Sequence, residues 1–404
     1  MKKTLVASAL AAVMVVPTAS AIEVYKDEKN AVEIGGWIDA RVINTQGATK
    51  VENGASRINF GFTRDMGQGW KTFAKVELGL NLVGNSSMDR NTVELEDGSV
   101  INGYNSNSND FISTRLGYVG LAHDTYGSLT IGKQWGAWYD VVYNTNLVNT
   151  WDGNTSGTYT LNKADGAING TGRGDKTVQY RNAFGDFSFA VQAQLKQDSF
   201  ELYEGDVFPG STGAAASTNV IGTVEYDYTY GASATYNATE NLILTAGVNV
   251  GEFDATYNTG KSVQETDLIF GAGATWGEFN AKGFYGAINV NKQEYHDTDN
   301  LNRYIPEAWG LESLASYHFD NGLRPLIGYN ILEASDEYGA AYSGDVFKRQ
   351  FLLVGLHYVW DNNTMLYLEG RKDFSDFTST NKAQQAAMEF SEDDGISIGI
   401  RYYM

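Results

Sequence analysis

The sequence predicts an all-β fold, a 16-stranded antiparallel transmembrane β-barrel. Three features carry that prediction. Apolar and polar residues alternate with a period of two in segment after segment. Short turns and long polar loops succeed one another in strict alternation. The composition, with 45 Gly, 25 Tyr, 19 Phe and 8 Trp against 4 Pro in 404 residues, suits strands, whereas long amphipathic helices want more Ala, Leu, Lys and Glu.

The first element is a secretory signal over residues 1–21. Lys2 and Lys3 give a basic start, an apolar run follows over 5–16, and Ala19-Ser20-Ala21 offers small residues for cleavage. The run is too short to cross about 30 Å of hydrocarbon as a helix. Cleavage is expected after Ala21, leaving residues 22–404 as one domain, because no proline-rich linker or shift in composition divides them. Loss of the two lysines leaves 27 basic against 49 acidic side chains, a formal charge of −22. So acidic a chain cannot neutralise phosphates broadly, and nucleic acid is excluded as a partner. There is no cysteine, so export to an oxidising compartment brings no disulfide.

After the signal, no stretch is apolar for the length of a spanning helix. A membrane location then requires strands closed into a barrel, since lipid offers nothing to unpaired backbone groups. The strands read clearly at three places. Ile34, Ile38, Ala40 and Val42 oppose Glu33, Trp37, Asp39 and Arg41; Leu242, Leu244, Ala246, Val248 and Val250 oppose Thr245, Gly247, Asn249 and Gly251; Ile396, Ile398, Ile400, Tyr402 and Met404 oppose Ser397, Gly399, Arg401 and Tyr403. A water-soluble sandwich shows the same alternation, so the interruptions decide. Short turns are expected at 66–69, 123–126, 185, 238–241, 277–278, 320–322 and 361–363. Long loops are expected near 44–56, 83–110, 140–173, 197–222, 254–265, 291–307, 335–346 and 375–393. Seven turns and eight loops delimit sixteen strands with one short and one long rim. Trp70, Trp276, Trp309, Tyr358, Trp360 and Tyr402 fall at strand ends, where amphipathic rings settle at a membrane interface.

Catalytic and metal chemistry find little support. Gly170-Thr171-Gly172-Arg173-Gly174-Asp175-Lys176-Thr177 lacks the glycine that a phosphate loop needs before its lysine, and no strand-to-helix context surrounds it. His123, His296, His318 and His357 form no helical pair for zinc, and there is no nucleophile elbow or cysteine nucleophile. Neither an enzyme nor a cofactor is expected.

Five separated blocks, TRLGYVGL (114–121), GSLTIGKQWGAWYDV (127–141), VQYRNAFGDFSFAVQ (178–192), YHFDNGLRPLIGY (317–329) and DGISIGIRYYM (394–404), together with the opening IEVYKDEKNAVEIGG (22–36), resemble the trimeric general diffusion porins of Gram-negative outer membranes. The resemblance spans the mature chain and keeps the family's order. It implies a homotrimer of sixteen-stranded barrels, each with its third loop, here up to Arg173, folded inward as a constriction. It also implies outer-membrane lipid, lipopolysaccharide and the barrel-assembly machinery as partners, and location in the cell outer membrane. In such a constriction, basic wall residues face acids on the loop. Arg57, Arg115 and Arg173 match the wall positions; Lys133, Arg181 and Glu77 share their water-facing parity. A guanidinium facing lipid at mid-bilayer costs about 2–4 kcal/mol, so alternation independently turns Arg57 and Arg115 inward.

The sequence departs from the family at three places. A first-strand wall position that is basic in enterobacterial members is Trp37. The loop motif Pro-Glu-Phe-Gly-Gly is replaced by Asn149-Thr150-Trp151-Asp152-Gly153, which makes Asp152 the expected constriction acid, beside Trp151. The terminal Phe is Met404. The implied function is non-specific passive diffusion of small hydrophilic solutes and ions through a charged neck, with mild cation preference from the acid excess. Gly36, Gly120, Gly132 and Gly136 are expected on the outward face of strands one, four and five as the trimer contact. Trp135, Trp138, Tyr139, Tyr143, Trp151 and Tyr159 raise an alternative, a substrate-specific channel with aromatic binding sites near the third loop. The long loops raise another, a surface adhesin or phage receptor.

Overall fold

The computed structural model describes residues 21–45, 47–83, 89–94, 100–105, 111–151, 153–160, 167–203, 220–361, 363–382, 385 and 394–404. Sixteen strands form its wall: β1 (Asn30–Thr45), β2 (Arg57–Gly67), β3 (Trp70–Leu80), β4 (Ile112–His123), β5 (Gly127–Trp135), β6 (Arg173–Phe184), β7 (Phe187–Gln194), β8 (Val220–Asn237), β9 (Leu242–Tyr257), β10 (Ser262–Trp276), β11 (Gly283–Glu294), β12 (Glu307–His318), β13 (Leu323–Ala334), β14 (Val346–Val359), β15 (Thr364–Asp373) and β16 (Gly395–Tyr403). Each pairs antiparallel with the next, and β16 returns to β1 from Thr45↔Gly395 to Trp37↔Tyr403. That last ladder closes the sheet, so the wall presents no unpaired edge to lipid.

Residues 22–26 and the C-terminal residue meet along β1. The Met404 N–H donates to the Gly36 carbonyl at 3.0 Å, and the short strand Ile22–Lys26 pairs just beyond it, Ile22 opposite Ile34. The first strand therefore carries β16 over one half of its length and Ile22–Lys26 over the other. Ala48–Asn53 similarly precedes β2 along β1.

Burial is inverted relative to a water-soluble protein. On β16, Ile396, Ile398 and Ile400 are more than half exposed while Ser397 is 1% exposed. Val119, Leu129, Ile131, Val191, Ile327 and Val354 likewise point outward, whereas Asp39, Glu77, Asn249, Asp267, Glu312 and Glu369 are buried inside the wall. Apolar side chains meet acyl chains at no desolvation cost, so the exterior takes the greasy residues and the interior the hydrogen-bonding ones. Trp276, Trp309, Trp360 and Tyr402 are exposed at strand ends, as the interfacial placement of rings requires.

The short turns fall where expected, with that between β10 and β11 extended to 277–282. Two long loops do not: within the expected loop 44–56, Ala48–Asn53 stays paired with β1 to Thr45↔Ala48. Strands β9 and β10 stay paired to Thr256↔Ser262, leaving only 258–261 where a loop over 254–265 was expected. Glu252, Asp254 and Thr256 mark a polar stretch, but a ladder standing in water can be polar on one face without breaking, and Phe253 and Ala255 on its other face are buried.

Candidate functional site

A belt of side chains crosses the wall at one height. Trp37 on β1 pairs with Tyr403 on one side and Arg57 on the other; Arg57 pairs with Gly79, and Gly79 with Ser113. The Arg57 guanidinium carbon lies 3.8 Å over the Trp37 ring, and that of Arg401 lies 4.8 Å from the same ring. A bulge between Glu77 and Leu78 inserts Arg115 into the row, where its Nε donates to Glu77 at 2.8 Å; Arg57 stands 3.6 Å from the same carboxylate oxygen. Gly79 makes room for this: a Cβ there would stand 2.6 Å from Ser113 Oγ and 3.3 Å from Arg115 Cδ. On β5, Trp135 pairs with Arg173, whose guanidinium carbon lies 5.7 Å from the Trp135 ring. The belt thus reads Trp, Arg, Gly, Arg, Trp, Arg across β1 to β6. Arg401 completes it by donating to Asp39 at 2.7 Å, an acid that also accepts from the Tyr367 hydroxyl.

The segment joining β5 to β6, residues 136–172, is tied to the wall far from its own strands. It opens with Ala137 N donating to Gln192 at 2.6 Å and the short helix α1 (Tyr139–Val142), whose Asp140 accepts from Arg181 at 2.6 Å and from Ser233. Val141 and Val142 pack with Trp138 on Ile269, and glycines 247 and 273 give Val141 its space. Farther along, Glu369 on β15 accepts backbone N–H groups of Asn149 (2.9 Å) and Thr150 (2.8 Å), and Arg41 on β1 donates to the Asn149 carbonyl at 2.7 Å. Glu312 on β12 then accepts from Thr155 N and Thr145 Oγ1. On the return limb the Gly157 carbonyl meets His296 Nε2 at 2.8 Å, while His296 Nδ1 meets Asp267 at 2.5 Å. Two buried carboxylates, on β12 and β15, capture three backbone amides, charge-assisted bonds stronger than neutral ones.

The expected site residues are distributed as follows. Arg57, Arg115, Arg173, Trp37 and Glu77 come together in the belt. Lys133 pairs with Asp175 at 2.8 Å and Arg181 with Asp140, each one step removed from it. Trp151 is 3% exposed and packs into an apolar cluster with Ile43, Tyr285 and Phe351. Asp152 lies outside the described residues. Of the four glycines expected outward, Gly120 pairs with the inward Phe73, whose ring a Cβ on Gly120 would overlap. Gly132 shares its face with the buried Thr130 while Ile131 points out, and Gly136 follows β5, against Gly170. The bulge at Arg115 shifts the alternation of β4, and the φ of +136° at Gly132 disturbs that of β5; only Gly36 keeps the outward parity.

Sequence reasoning missed Arg41, Glu312, Glu369, Asp267 and His296 as site residues, because each is an isolated polar residue on a strand or loop. Asn149 and Thr150, whose amides Glu369 accepts, lie 220 and 219 positions away, so no local pattern announces them.

The Gram-negative porin family matches this chain over residues 7–373. Outer membrane porin F of Escherichia coli (strain K12) is 24% identical over 417 residues, covering 100% of this chain and 99% of that protein. Among solved structures, Salmonella typhi OmpF in complex with daunomycin superposes with a TM-score of 0.66 at 19% identity, over 95% of this chain and 100% of that one. The trimer form of OmpT of Vibrio cholerae gives 0.58 at 15%, over 93% and 100%. With the barrel closed, its exterior apolar and the family match running through most of its length, the chain belongs to the Gram-negative porins, channels of the outer membrane rather than enzymes.

Proposed function

We propose that the protein is a general diffusion porin, a sieve for small hydrophilic solutes whose neck lies between the arginine belt and the 136–172 segment folded into the bore. The observation that carries this reading is the capture of that segment by Glu369, Glu312 and Arg41, side chains on three separated strands. A loop tied to β1, β12 and β15 at once spans the interior, and Arg57 and Arg115 stand at its open side. Fixed charges there order water and solute dipoles, so apolar solutes lose hydration without compensation.

Ionic preference has two opposed sources. The −22 charge of the mature chain favours cations at the mouths, while the belt holds four guanidiniums against Glu77 and Asp39. Mild cation preference follows where the mouth charges are felt, at about 0.1 M salt with a Debye length near 10 Å, and fades near 1 M, where it is about 3 Å. Single-channel recording with a reversal potential across a potassium chloride gradient tests both statements. An electrically silent bilayer would sink the channel reading; anion preference at the lower salt would sink the cation preference.

Assembly as a homotrimer, as in the trimer form of OmpT, is proposed for the outer face of β1 to β5, with Gly36 the one expected glycine still facing it. Migration of unboiled protein as a monomer in a mild gel would refute it. Removal of residues 1–21 belongs to the same proposal, and N-terminal sequencing of the membrane-extracted protein checks it. Lipopolysaccharide at the acidic loops and capture of the C-terminal strand by the barrel-assembly machinery belong to the same proposal. Replacement of Met404 by Phe should leave or raise the yield of folded barrel, never lower it.

A further inference from the structure

The belt is more than a row of cations, for indoles bracket it at both ends. Trp37 stands under Arg57 at 3.8 Å, and Trp135 pairs with Arg173, whose guanidinium carbon lies 5.7 Å from its ring. The second bracket continues along the loop: the Trp135 and Tyr139 rings stack at 3.8 Å and 14°, and Tyr143 follows 6.2 Å from Tyr139. These rings behave unlike others of the same segment. Trp138 and Trp151 are buried as anchors, whereas Trp37, Trp135 and Tyr139 are partly covered and Tyr143 is 41% exposed. Rings held in contact with water inside a barrel forgo part of the stabilisation that burial gives them.

The polar atoms beside the rings favour one charge. Glu77 is already engaged by Arg57 and Arg115, and Asp39 by Arg401 and Tyr367. Arg115 meets Glu77 through Nε, which leaves its terminal nitrogens for another acceptor. The belt therefore offers donors and flat surfaces together. Sugars, which also stack on rings, want acceptors beside them as well; an aromatic cation meets repulsion. We infer that the belt is a transit site for small aromatic carboxylates, the carboxylate held by the guanidiniums of Arg57 and Arg115 and the ring resting against the Trp135–Tyr139 stack. This deepens the diffusion reading and rests on it.

The test uses the whole protein in planar bilayers, with benzoate and cyclohexanecarboxylate as probes of equal charge and similar size, one flat and one not. Benzoate is expected to interrupt the current about fivefold longer per event than cyclohexanecarboxylate, the size of an ordinary aromatic pair preference. The ratio of the two residence times, taken within each protein so that any change in conductance cancels, should fall to about one in Trp135→Leu and in Tyr139→Leu. Two variants guard against a folding failure in either, and the wild-type ratio stands alone. Equal residence of the two probes in wild type, or an unchanged ratio in both variants, overturns the inference while leaving the porin reading intact. A wild-type bilayer without potassium chloride current would instead overturn the porin reading.

Discussion

The two halves of the wall use charge in opposite ways. Along β1 to β6, Arg57 and Arg115 keep about a tenth of their side-chain surface exposed, Arg57 over the Trp37 ring. Along β10 to β15 a set of charged side chains is buried against the chain itself. Glu312 and Glu369 hold the 136–172 segment, Arg349 donates to the Asn154 carbonyl and to Asn300, and Arg324 lies 3.9 Å over Phe279 of the 277–282 turn while donating to its carbonyl. The loop at 295–306 is buried as well, with Asp299 and Asp345 both on Arg303. One side of the barrel is thus a working surface and the other a filled one. The same residue types do both.

The sharpest way to break this contrast is Glu369→Ala. The carboxylate accepts two backbone amides, the Asn149 side chain and His357, so its loss leaves several buried donors without an acceptor. Removing one partner of such a buried network costs about 3–5 kcal/mol. The expected outcome is a lower unfolding temperature in detergent together with a larger, flickering unit conductance, as the segment leaves the bore. A variant with wild-type conductance and quiet current would show that the segment does not form the neck.

A smaller effect distinguishes the two halves by charge alone. Arg115→Gln removes a cation from the working surface. An ion about 6 Å away in water-like surroundings feels about 0.7 kcal/mol from it, and the reversal potential should move toward cations by about a threefold change in permeability ratio. Arg324→Gln removes the same charge from the filled half, where Arg324 is 3% exposed and tied to the turn. It should leave the reversal potential in place and lower thermal stability. If the two variants shift the potential equally, the division into working and filled halves fails.

Much of this was legible in the residues. Alternation and the rhythm of turns and loops gave the sixteen strands, and Arg57, Arg115, Arg173 and Trp37 were found at the belt they now form. Two kinds of information were not local. The bulge at Arg115 adds one residue to one strand, which no period-two pattern can announce, and it turns Gly120 from the outer face to the inner. The filled half is made of pairs such as Glu312 with Thr155 and Glu369 with Asn149, more than 150 positions apart. Each acid alone looks like any other lumen charge, and only closure of the barrel sets it before a backbone amide. Strand β9 outlasted its expected end for a related reason: charge stops a strand in lipid, not in water.

The finest test falls on the hinge between the loops. His296, in the 295–306 loop beyond β11, is fully buried with both ring nitrogens on acceptors, the Asp267 carboxylate and the Gly157 carbonyl. Both bonds are satisfied together only by the protonated ring. Burial works to lower its pKa, but Asp267, the Gly157 carbonyl and nearby Asp297 outweigh it and the pKa is raised. A raised folded-state value means that the stabilisation is complete below the ordinary histidine range and is lost as pH rises through the folded value; a tenfold preference for the protonated ring amounts to about 1.4 kcal/mol. Raising the pH from 6 to 9 should therefore increase current flicker in the wild type as Gly157 is released. His296→Gln can donate to one acceptor at any pH, and its flicker should be intermediate and flat over the same range. A wild-type trace that is equally quiet at both ends would mean that this histidine holds the segment without its proton, and that the filled half is fixed by Glu312 and Glu369 alone.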